Sequence, residues 1–495
     1  MDAIQNLIYG FSIALQPINL FYCLVGTFIG TLIGVLPGIG PTATLSLLLP
    51  FTFNINPVSS LIMLSGIFMG ANYGGSTTSI LVNIPGEASS VVTCIDGYMM
   101  AKKGRAGPAL GIAAFGSFIA GTLSVFGLVF FTPVLANVAL KFGPTEYASL
   151  IIFSLTTLAL LARGSLRKAL MMAALGLILG CIGSDYSTGK ARFVYGLPYI
   201  LDGIDLVPLL MGLFGIAEIL SNIEVIWGKE FYEKKIKGLL PNKEDWKNSI
   251  GAILRGSGIG FFMGLIPGIG GVIPTFVDYA IEKKISRHPE KFGTGAIEGV
   301  AGPESANNAV CQASFIPMFS LGIPSNAVIA VLMGVLMIHG LQPSPMMIKN
   351  YPDLFWGVVS SMYIANCMLL VLNLPLIPIW VRILRVPYSI LVPLILLFCM
   401  IGSYSLRNNL ADMIIMIIFG VVGYLMRKFE YEPAPLIMAF LLGDNLEISV
   451  RQSLALFHGN PMVFVHRPIS LALLLSAVLI LISPIFIRRK VYKED

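Results

Sequence analysis

Long runs of apolar residues recur along this chain, and they limit it to a membrane fold. Several reach the roughly 20 residues with which a helix spans a bilayer. Clear runs lie near 107–131, 205–227, 354–380, 388–404, 410–426 and 469–487. Only 12% of the residues are charged, about half the share found in soluble proteins. With weaker runs included, the pattern predicts an all-α integral membrane protein with roughly 10–12 transmembrane helices.

Two similar breaks interrupt these apolar segments. The sequence LPGIG stands at 36–40 and IPGIG at 266–270, which is an offset of 230 residues. Each is followed by a second break at an Ile-Pro step, at 84–85 and at 323–324, with an offset of 239 residues. Proline and glycine are poor residues for the interior of a helix, so matched pairs of breaks indicate an internal repeat with broken, re-entrant helices.

The charges of the loops predict that the two repeats are inverted. The loop 51–57 is uncharged and its counterpart 281–291 is basic. The next pair is reversed, because 99–107 is basic and 339–353 is not. Basic loops stay in the cytoplasm, so matching loops fall on opposite sides of the membrane.

This pattern divides the chain into two halves. We predict a first repeat at 1–227, a polar cytoplasmic linker at 228–248 and a second repeat at 249–495. Two inverted halves with broken helices are typical of secondary transporters, and we expect an elevator-like unit that contains both broken segments.

Polar residues beside the breaks are the candidate site. Broken helices expose unpaired N–H groups, which favour anions, and unpaired carbonyl groups, which can hold Na⁺. The predicted substrate-binding residues are Gly38, Gly40, Thr42, Asn83, Gly268, Gly270, Glu304, Ser305, Asn307, Asn308 and Ser325. A Na⁺ site is predicted at Ser76, Thr77, Thr78 and Asn326. The alternative is that these groups serve close helix packing and hydrogen bonds between helices.

Charged residues at membrane depth are functional candidates by default. Glu87 and Glu304 stand beside breaks, whereas Asp96, Asp278 and Glu298 could equally be charges at the membrane interface. Positive backbone φ angles are expected at the four glycines of the two Gly-x-Gly steps, because glycine adopts them without strain.

At these motifs the sequence resembles the large membrane subunit of the tripartite tricarboxylate transporters. The matching stretches are GVLPGIGPTATLSLLLP, GANYGGSTTSILVNIPGEASSVVTCIDGY, AKKGRAGPALGIAAFGSFIAG, GLIPGIG, GPESANNA and IHGLQPSP. The resemblance implies a carboxylate carrier of the bacterial inner membrane, coupled to Na⁺ or H⁺. It also implies two partners, a small four-helix membrane subunit and a periplasmic solute-binding protein. The family usually has glycine where this chain has Ser325, so we expect this side chain to narrow the site.

The predicted function is therefore secondary active uptake of a tri- or dicarboxylate. The sequence contains no nucleotide-binding motif and no paired catalytic groups, so we expect neither an enzyme nor a cofactor other than the coupling ion. An anion channel and a non-transporting membrane scaffold remain the alternatives, because a pore tolerates symmetric breaks as well.

Overall fold

The computed structural model describes residues 3–36, 40–161, 165–185, 188–223, 238–383 and 388–491. The helices of the first half are α1 Ala3–Ala14, α2 Pro17–Val35, α3 Pro41–Thr52, α4 Pro57–Val82, α5 Val91–Lys102, α6 Ala106–Ala139, α7 Pro144–Leu161, α8 Leu166–Gly180, α9 Leu206–Leu210 and α10 Ala217–Ile223. A π-helical turn, Met211–Ile216, joins α9 to α10. Strands β1 Gly183–Ser184 and β2 Ala191–Arg192 pair antiparallel.

The second half is described from residue 238 onward. Its helices are α11 Lys243–Gly264, α12 Val272–Ile285, α13 Glu298–Ala313, α14 Phe315–Leu321, α15 Ala327–Ile338, α16 Met347–Asn350, α17 Pro352–Asn373, α18 Ile377–Ile383, α19 Tyr388–Arg407, α20 Leu410–Lys428, α21 Pro433–Leu456, α22 Val463–His466 and α23 Pro468–Val491. Short 3₁₀ turns lie at Ala88–Ser90, Pro198–Ile200 and Pro289–Lys291.

The helical architecture confirms the predicted all-α membrane fold. Within the described ranges, five helices are long and apolar enough to cross a membrane, namely α2, α6, α17, α20 and α21. Shorter apolar helices lie at 144–160, 206–221, 327–338, 395–405 and 468–482. Large apolar side chains such as Ile8, Phe126 and Leu479 are exposed, as suits a surface that faces lipid. The inverted orientation and the elevator-like unit stay predictions.

The predicted second breaks are confirmed in both halves. α4 ends at Val82 and Asn83 follows with a left-handed backbone (φ 59°). α14 ends at Leu321 and Gly322 follows in the same conformation (φ 68°). These two residues are 239 positions apart, which is the offset of the Ile-Pro steps behind them.

The structure adds detail to one predicted span and to the predicted linker, whose boundaries stay a prediction. The apolar run 354–380 is two helices, because Pro375 has no N–H and disfavours helical backbone at the residue before it. α11 already begins at Lys243, inside the predicted linker, because the side chain of Asn242 caps it by accepting a hydrogen bond from Asp245 N at 2.8 Å. Residues 224–237, which include 228–237 of the predicted linker, lie outside the described part.

Glycines at every fourth position hold α2 against α4. Each glycine faces a backbone carbonyl of α4: Gly26 faces Met63, Gly30 faces Ile67 and Gly34 faces Ala71. Side-chain carbons at these glycines would lie 2.1, 2.3 and 2.3 Å from those oxygens. The two backbones therefore touch with no side chain between them, in the manner of small-residue contacts in membranes.

The second half repeats this contact between α11 and α13. Gly256 faces the carbonyl of Gly302, and Gly260 faces that of Ala306, each with 2.3 Å to an added side-chain carbon. Gly256 and Gly260 follow Gly26 and Gly30 by 230 residues, and their α13 partners follow those on α4 by 239 residues. Two equivalent helix pairs, α2–α4 and α11–α13, thus lie next to the breaks.

Candidate transport site

A row of polar side chains runs along one side of α13. Glu304, Asn307 and Asn308 are spaced three and four residues apart, which places them on neighbouring positions of one helix face. All three are buried, and Gln312 continues the row one turn later. Buried polar groups in a membrane protein need partners, and those of Glu304, Asn307 and Asn308 include residues of the first half of the chain.

Glu304 joins α13 to two helices of the first repeat. Its carboxylate accepts a hydrogen bond from the Ser76 hydroxyl of α4 at 2.5 Å and another from the Thr93 hydroxyl of α5. Glu304 is fully buried. Among the described residues, no lysine or arginine forms an ion pair with it. The described partners of its carboxyl group are therefore neutral hydroxyl groups.

A second carboxylate lies one helical turn away. Glu87, which begins the turn Ala88–Ser90, accepts a hydrogen bond from the Asn307 amide at 2.8 Å and another from the Ser89 hydroxyl. Gly271, just before α12, packs against both sides of this contact, because an added side-chain carbon there would lie 3.1 Å from Asn307 Oδ1 and 3.0 Å from Ser89 Cβ. The residue that follows the break at 266–270 thus lies beside Asn307 and Ser89.

We call Ser76, Glu87, Thr93, Glu304 and Asn307 the interface cluster. Its members come from α4, α5, α13 and the turn Ala88–Ser90, so it is built from both halves. A narrow cavity beside it is lined by Ser76, Thr77 and Ser117. The structure thereby brings together five polar groups that stand far apart in the sequence.

Of two other predicted residues of α13, Asn308 joins it to another helix and Ser305 bonds within α13. The Asn308 amide donates to the Ser117 hydroxyl of α6 at 2.7 Å and to the carbonyl of Glu304. The Ser305 hydroxyl donates to the carbonyl of Ala301, one turn back on its own helix. Asn308 Oδ1 has no hydrogen-bond partner among the described residues.

The two breaks of the second half are joined by a backbone hydrogen bond. Gly268 N donates to the carbonyl of Ser325 at 2.7 Å, and the Ser325 hydroxyl donates to the carbonyl of Ser314. Gly268 (φ 92°) and Gly270 (φ 59°) have the expected positive φ angles. Ser325 therefore holds the position of the break with its backbone, while its side chain points at α13–α14.

The first-half break differs from this arrangement. Gly38 lies outside the described residues. The positive φ expected at Gly40 is wrong, because its backbone is extended, with φ −73° and ψ 164°. The reason is Pro41, which starts α3 and restricts the residue before it to extended conformations. Thr42, in the first turn of α3, accepts the Ser46 hydroxyl with its carbonyl at 2.8 Å.

The other predicted residues serve as helix ends. Asn83 is exposed at the end of α4. Asn326 caps α15, accepting a hydrogen bond from Ile329 N at 3.0 Å. Asn326 follows Glu87 by 239 residues, so the two halves place a carboxylate and an amide at equivalent helix starts.

The four residues of the predicted Na⁺ site make separate contacts. The Ser76 hydroxyl donates to Glu304, the Thr78 hydroxyl donates to the carbonyl of Val35 at 2.7 Å, and Thr77 lines the cavity. Asn326 uses its side-chain oxygen for the cap. In the described ranges, no group of three or more His, Cys, Asp or Glu side chains is placed to hold a metal ion. The Na⁺ site stays a prediction.

Sequence reasoning missed Thr93, Ser89 and Ser117. Thr93 and Ser117 lie on helices without a break, and only polar residues beside a break were predicted as site residues. Ser89 stands two residues after Glu87, and a hydroxyl so close to a membrane carboxylate was the one available signal. The contacts of the other two depend on how the halves pack, which no local pattern contains.

Comparison with known proteins bears directly on this site. The model of the tripartite tricarboxylate transporter TctA family matches residues 20–438, which include every residue of the interface cluster. An uncharacterized 52.8 kDa protein in the TAR-I ttuC' 3' region of Agrobacterium vitis is 49% identical over 500 residues, covering all of both chains. An uncharacterized protein in the TAR-II ttuC' 3' region of the same organism is 44% identical over 241 residues, covering 48% of this chain and all of that protein. No solved structure matches the chain.

The family match spans most of the sequence and contains both broken segments, and the relative from the TAR-I region extends over the whole length. This family is one of transporter components, not of enzymes, and it is part of a three-component system. The multi-pass helical fold agrees with that assignment. The chain belongs to the tripartite tricarboxylate transporter TctA family.

Proposed function

We propose that this protein is the carrier subunit for secondary active uptake of a carboxylate anion, a tri- or dicarboxylate, across the bacterial inner membrane. A periplasmic solute-binding protein delivers the substrate, and a small four-helix membrane subunit completes the complex. Uptake is coupled to Na⁺ or H⁺. The observation that carries this proposal is the interface cluster, where Glu304 contacts Ser76 and Thr93 and Glu87 contacts Asn307, one turn along α13 from Glu304.

The charge of the cluster favours coupling to a cation. Two like charges 4 Å apart repel by about 4 kcal/mol at the effective dielectric constant of a protein. A carboxylate substrate that approaches Glu87 and Glu304 therefore binds poorly unless cations enter with it. Glu304 has hydroxyl partners and no described ion pair, so the cation must come from solution.

The other groups suit a carboxylate substrate and a small cation. Hydroxyl and amide groups can donate to a carboxylate and can offer oxygen atoms to Na⁺. The break at 266–270 adds unpaired backbone groups next to Asn307. We expect the substrate carboxylates to bind the N–H groups of this break and the amide of Asn307.

Counterflow in proteoliposomes tests the carrier function. The chain is reconstituted with its small membrane subunit, the binding protein is added outside, and labelled citrate, succinate and malate are supplied. A carrier loaded with unlabelled substrate accumulates label transiently above equilibrium, and a channel does not. Uptake without counterflow favours the anion channel, and no movement of any of the three anions favours the scaffold.

Glu304→Gln is the matched test of the cluster. It keeps the size of the side chain and removes the acidic group beside the expected substrate site, so we expect counterflow to fall. Glu244→Gln is the control, because Glu244 lies exposed in the first turn of α11. Equal counterflow in both variants would show that Glu304 serves packing only.

A further inference from the structure

Two further acidic side chains are buried against glycines of α13. A side-chain carbon added at Gly299 would lie 2.4 Å from Asp96 Oδ2, and one added at Gly302 would lie 2.2 Å from Asp278 Oδ2. Both aspartates are fully buried. The two glycines, three residues apart on one helix, make room for two carboxyl groups, but these two groups have opposite surroundings.

Asp96 is saturated with hydrogen-bond donors. Its Oδ1 accepts from the backbone N–H groups of Gly293, Gly295 and Ala296 at 2.9, 2.6 and 2.9 Å, and its Oδ2 accepts from the Tyr279 hydroxyl at 2.8 Å. These four hydrogen bonds therefore fasten α5 to the loop before α13 and to Tyr279 of α12.

Asp278 has none of this support. Neither of its oxygens has a hydrogen-bond partner among the described residues, although the side chain is completely buried. An ionised carboxylate in such a place costs several kcal/mol, and the usual outcome is that the group takes up a proton. The burial and the missing donors thus favour a neutral Asp278 in this state of the protein.

An ion pair between Glu282 and Arg255 lies between the position of Asp278 on α12 and the protein surface. Glu282, one turn further along α12, accepts two hydrogen bonds from Arg255 of α11 at 2.6 and 2.7 Å. The Glu282 side chain is 2% exposed and that of Arg255 is 44% exposed. An added side-chain carbon at Gly302 would also meet Glu282 Cγ at 3.1 Å, so both acids flank the same glycine.

The remaining neighbours of α12 supply no donor that is free for Asp278. α13 presents its backbone at Gly302, while Glu304 is engaged with Ser76 and Thr93. Asp96 of α5 is engaged as described above, and Glu87, which begins the turn Ala88–Ser90, accepts hydrogen bonds from Asn307 and Ser89. In the turn Pro289–Lys291, Glu290 contacts His288, and both Glu290 and Lys291 are exposed.

We propose that Asp278 is a proton-binding site of the transport cycle, loaded in the state described and released toward the surface beside Glu282 and Arg255. This inference rests on the carrier function proposed above and names H⁺ as the coupling ion. The interface cluster around Glu304 then binds substrate, and Asp278, which lies near the partly exposed Arg255, binds the proton.

Accumulation driven by a pH gradient tests the proposal. Proteoliposomes contain the same complex, the membrane potential is clamped at zero with K⁺ and valinomycin, and the labelled anion is whichever of citrate, succinate and malate is taken up best. One proton per substrate sustains about tenfold accumulation for an inward gradient of one pH unit. We expect this ratio to fall to about one in Asp278→Asn, whose exchange no longer varies with pH.

Asp278→Glu and Glu244→Gln are the controls. Asp278→Glu keeps a proton-binding group and retains accumulation with a shifted pH midpoint, and Glu244→Gln behaves as the wild type. Infrared spectroscopy gives a readout that does not need transport: the wild type shows the C=O stretch of a buried neutral carboxyl group that Asp278→Asn lacks.

Three results would overturn the proposal: tenfold accumulation by Asp278→Asn, accumulation by the wild type with a Na⁺ gradient but not with a pH gradient, or an infrared band unchanged by the substitution. Absence of counterflow in the wild type would instead refute the carrier function. The infrared comparison would still decide whether Asp278 holds a proton.

Discussion

The three described glycines of the two Gly-x-Gly steps should respond very differently to alanine, because their backbones differ. Gly40 has an extended backbone and an added side-chain carbon would meet nothing within 4 Å. Alanine adopts this conformation without strain and restricts the unfolded chain, so Gly40→Ala should be neutral or stabilise by up to about 1 kcal/mol. Gly270 also has open space around it, but its φ is 59°.

Positive φ sets the cost at the other two positions. Left-handed backbone costs a residue other than glycine about 1–2 kcal/mol, which is our expectation for Gly270→Ala. At Gly268 the φ of 92° is combined with a clash, since the added carbon would lie 2.7 Å from Leu158 Cα and 2.8 Å from Leu158 N. Backbone atoms of α7 cannot move aside as a side chain can. Overpacking adds about 1–3 kcal/mol, and we expect about 2–5 kcal/mol for Gly268→Ala.

The assay is unfolding of the purified protein in mixed detergent micelles with increasing SDS, followed in parallel by uptake in proteoliposomes at matched protein content. The expected order of stability is Gly40→Ala, then Gly270→Ala, then Gly268→Ala. Uptake should fall most in Gly268→Ala, because the strain is located where the break meets Ser325. Equal losses at Gly40 and Gly268, or wild-type behaviour of Gly268→Ala, would refute the reasoning.

Three further predictions concern the site, the packing and the topology. Alanine at Glu304 or Asn308 should reduce uptake about 5- to 150-fold, through the loss of roughly 1–3 kcal/mol of buried polar contact. Asn83→Ala tests the exposed helix end in the same assay. Wild-type uptake kinetics in all three alanine variants would show that Glu304, Asn308 and Asn83 serve packing only. Gly260→Ala should destabilise the protein by about 1–3 kcal/mol in the SDS assay. Gly258→Ala is the control, because an added carbon there meets nothing within 4 Å. Similar stabilities of the two variants would count against the backbone contact between α11 and α13. In a cysteine-free background, single cysteines at 99–107 and 281–291 should react with a reagent added to the cytoplasmic side, and those at 51–57 and 339–353 with one added to the periplasmic side. Labelling of 51–57 and 281–291 from the same side would exclude the inverted repeat.

Features that depend on local chemistry could be predicted from the sequence. The ends of α4 and α14 fall where Asn83 and Gly322 precede an Ile-Pro step, because left-handed backbone and proline both stop a helix. The glycine contacts at Gly26 and Gly256 were not predicted, although their offset equals that of the Pro-Gly breaks.

Features that depend on packing between the halves could not be predicted. Glu304 could be identified as a membrane carboxylate, but its contact with Thr93 joins residues 211 positions apart. Gly40 shows the opposite case, because the expected symmetry with Gly270 failed on a single local residue, Pro41, which the second half replaces with Gly271. Repeat symmetry is therefore a guide to architecture and a poor guide to the conformation of each residue.

The glycine contacts of α2 with α4, and of α11 with α13, have a mechanical consequence. Two helices whose backbones touch at successive turns cannot slide past each other without first separating, because carbonyl groups on one helix fit against the glycines of the other. We therefore expect each pair to move as one rigid body. The boundary between the two pairs is different, since hydroxyl, amide and carboxylate groups meet there. Such contacts can exchange partners with water, substrate or ions during sliding. The two helix pairs are thus expected to stay rigid while the polar interface between them rearranges. Substrate is expected to bind at this same interface.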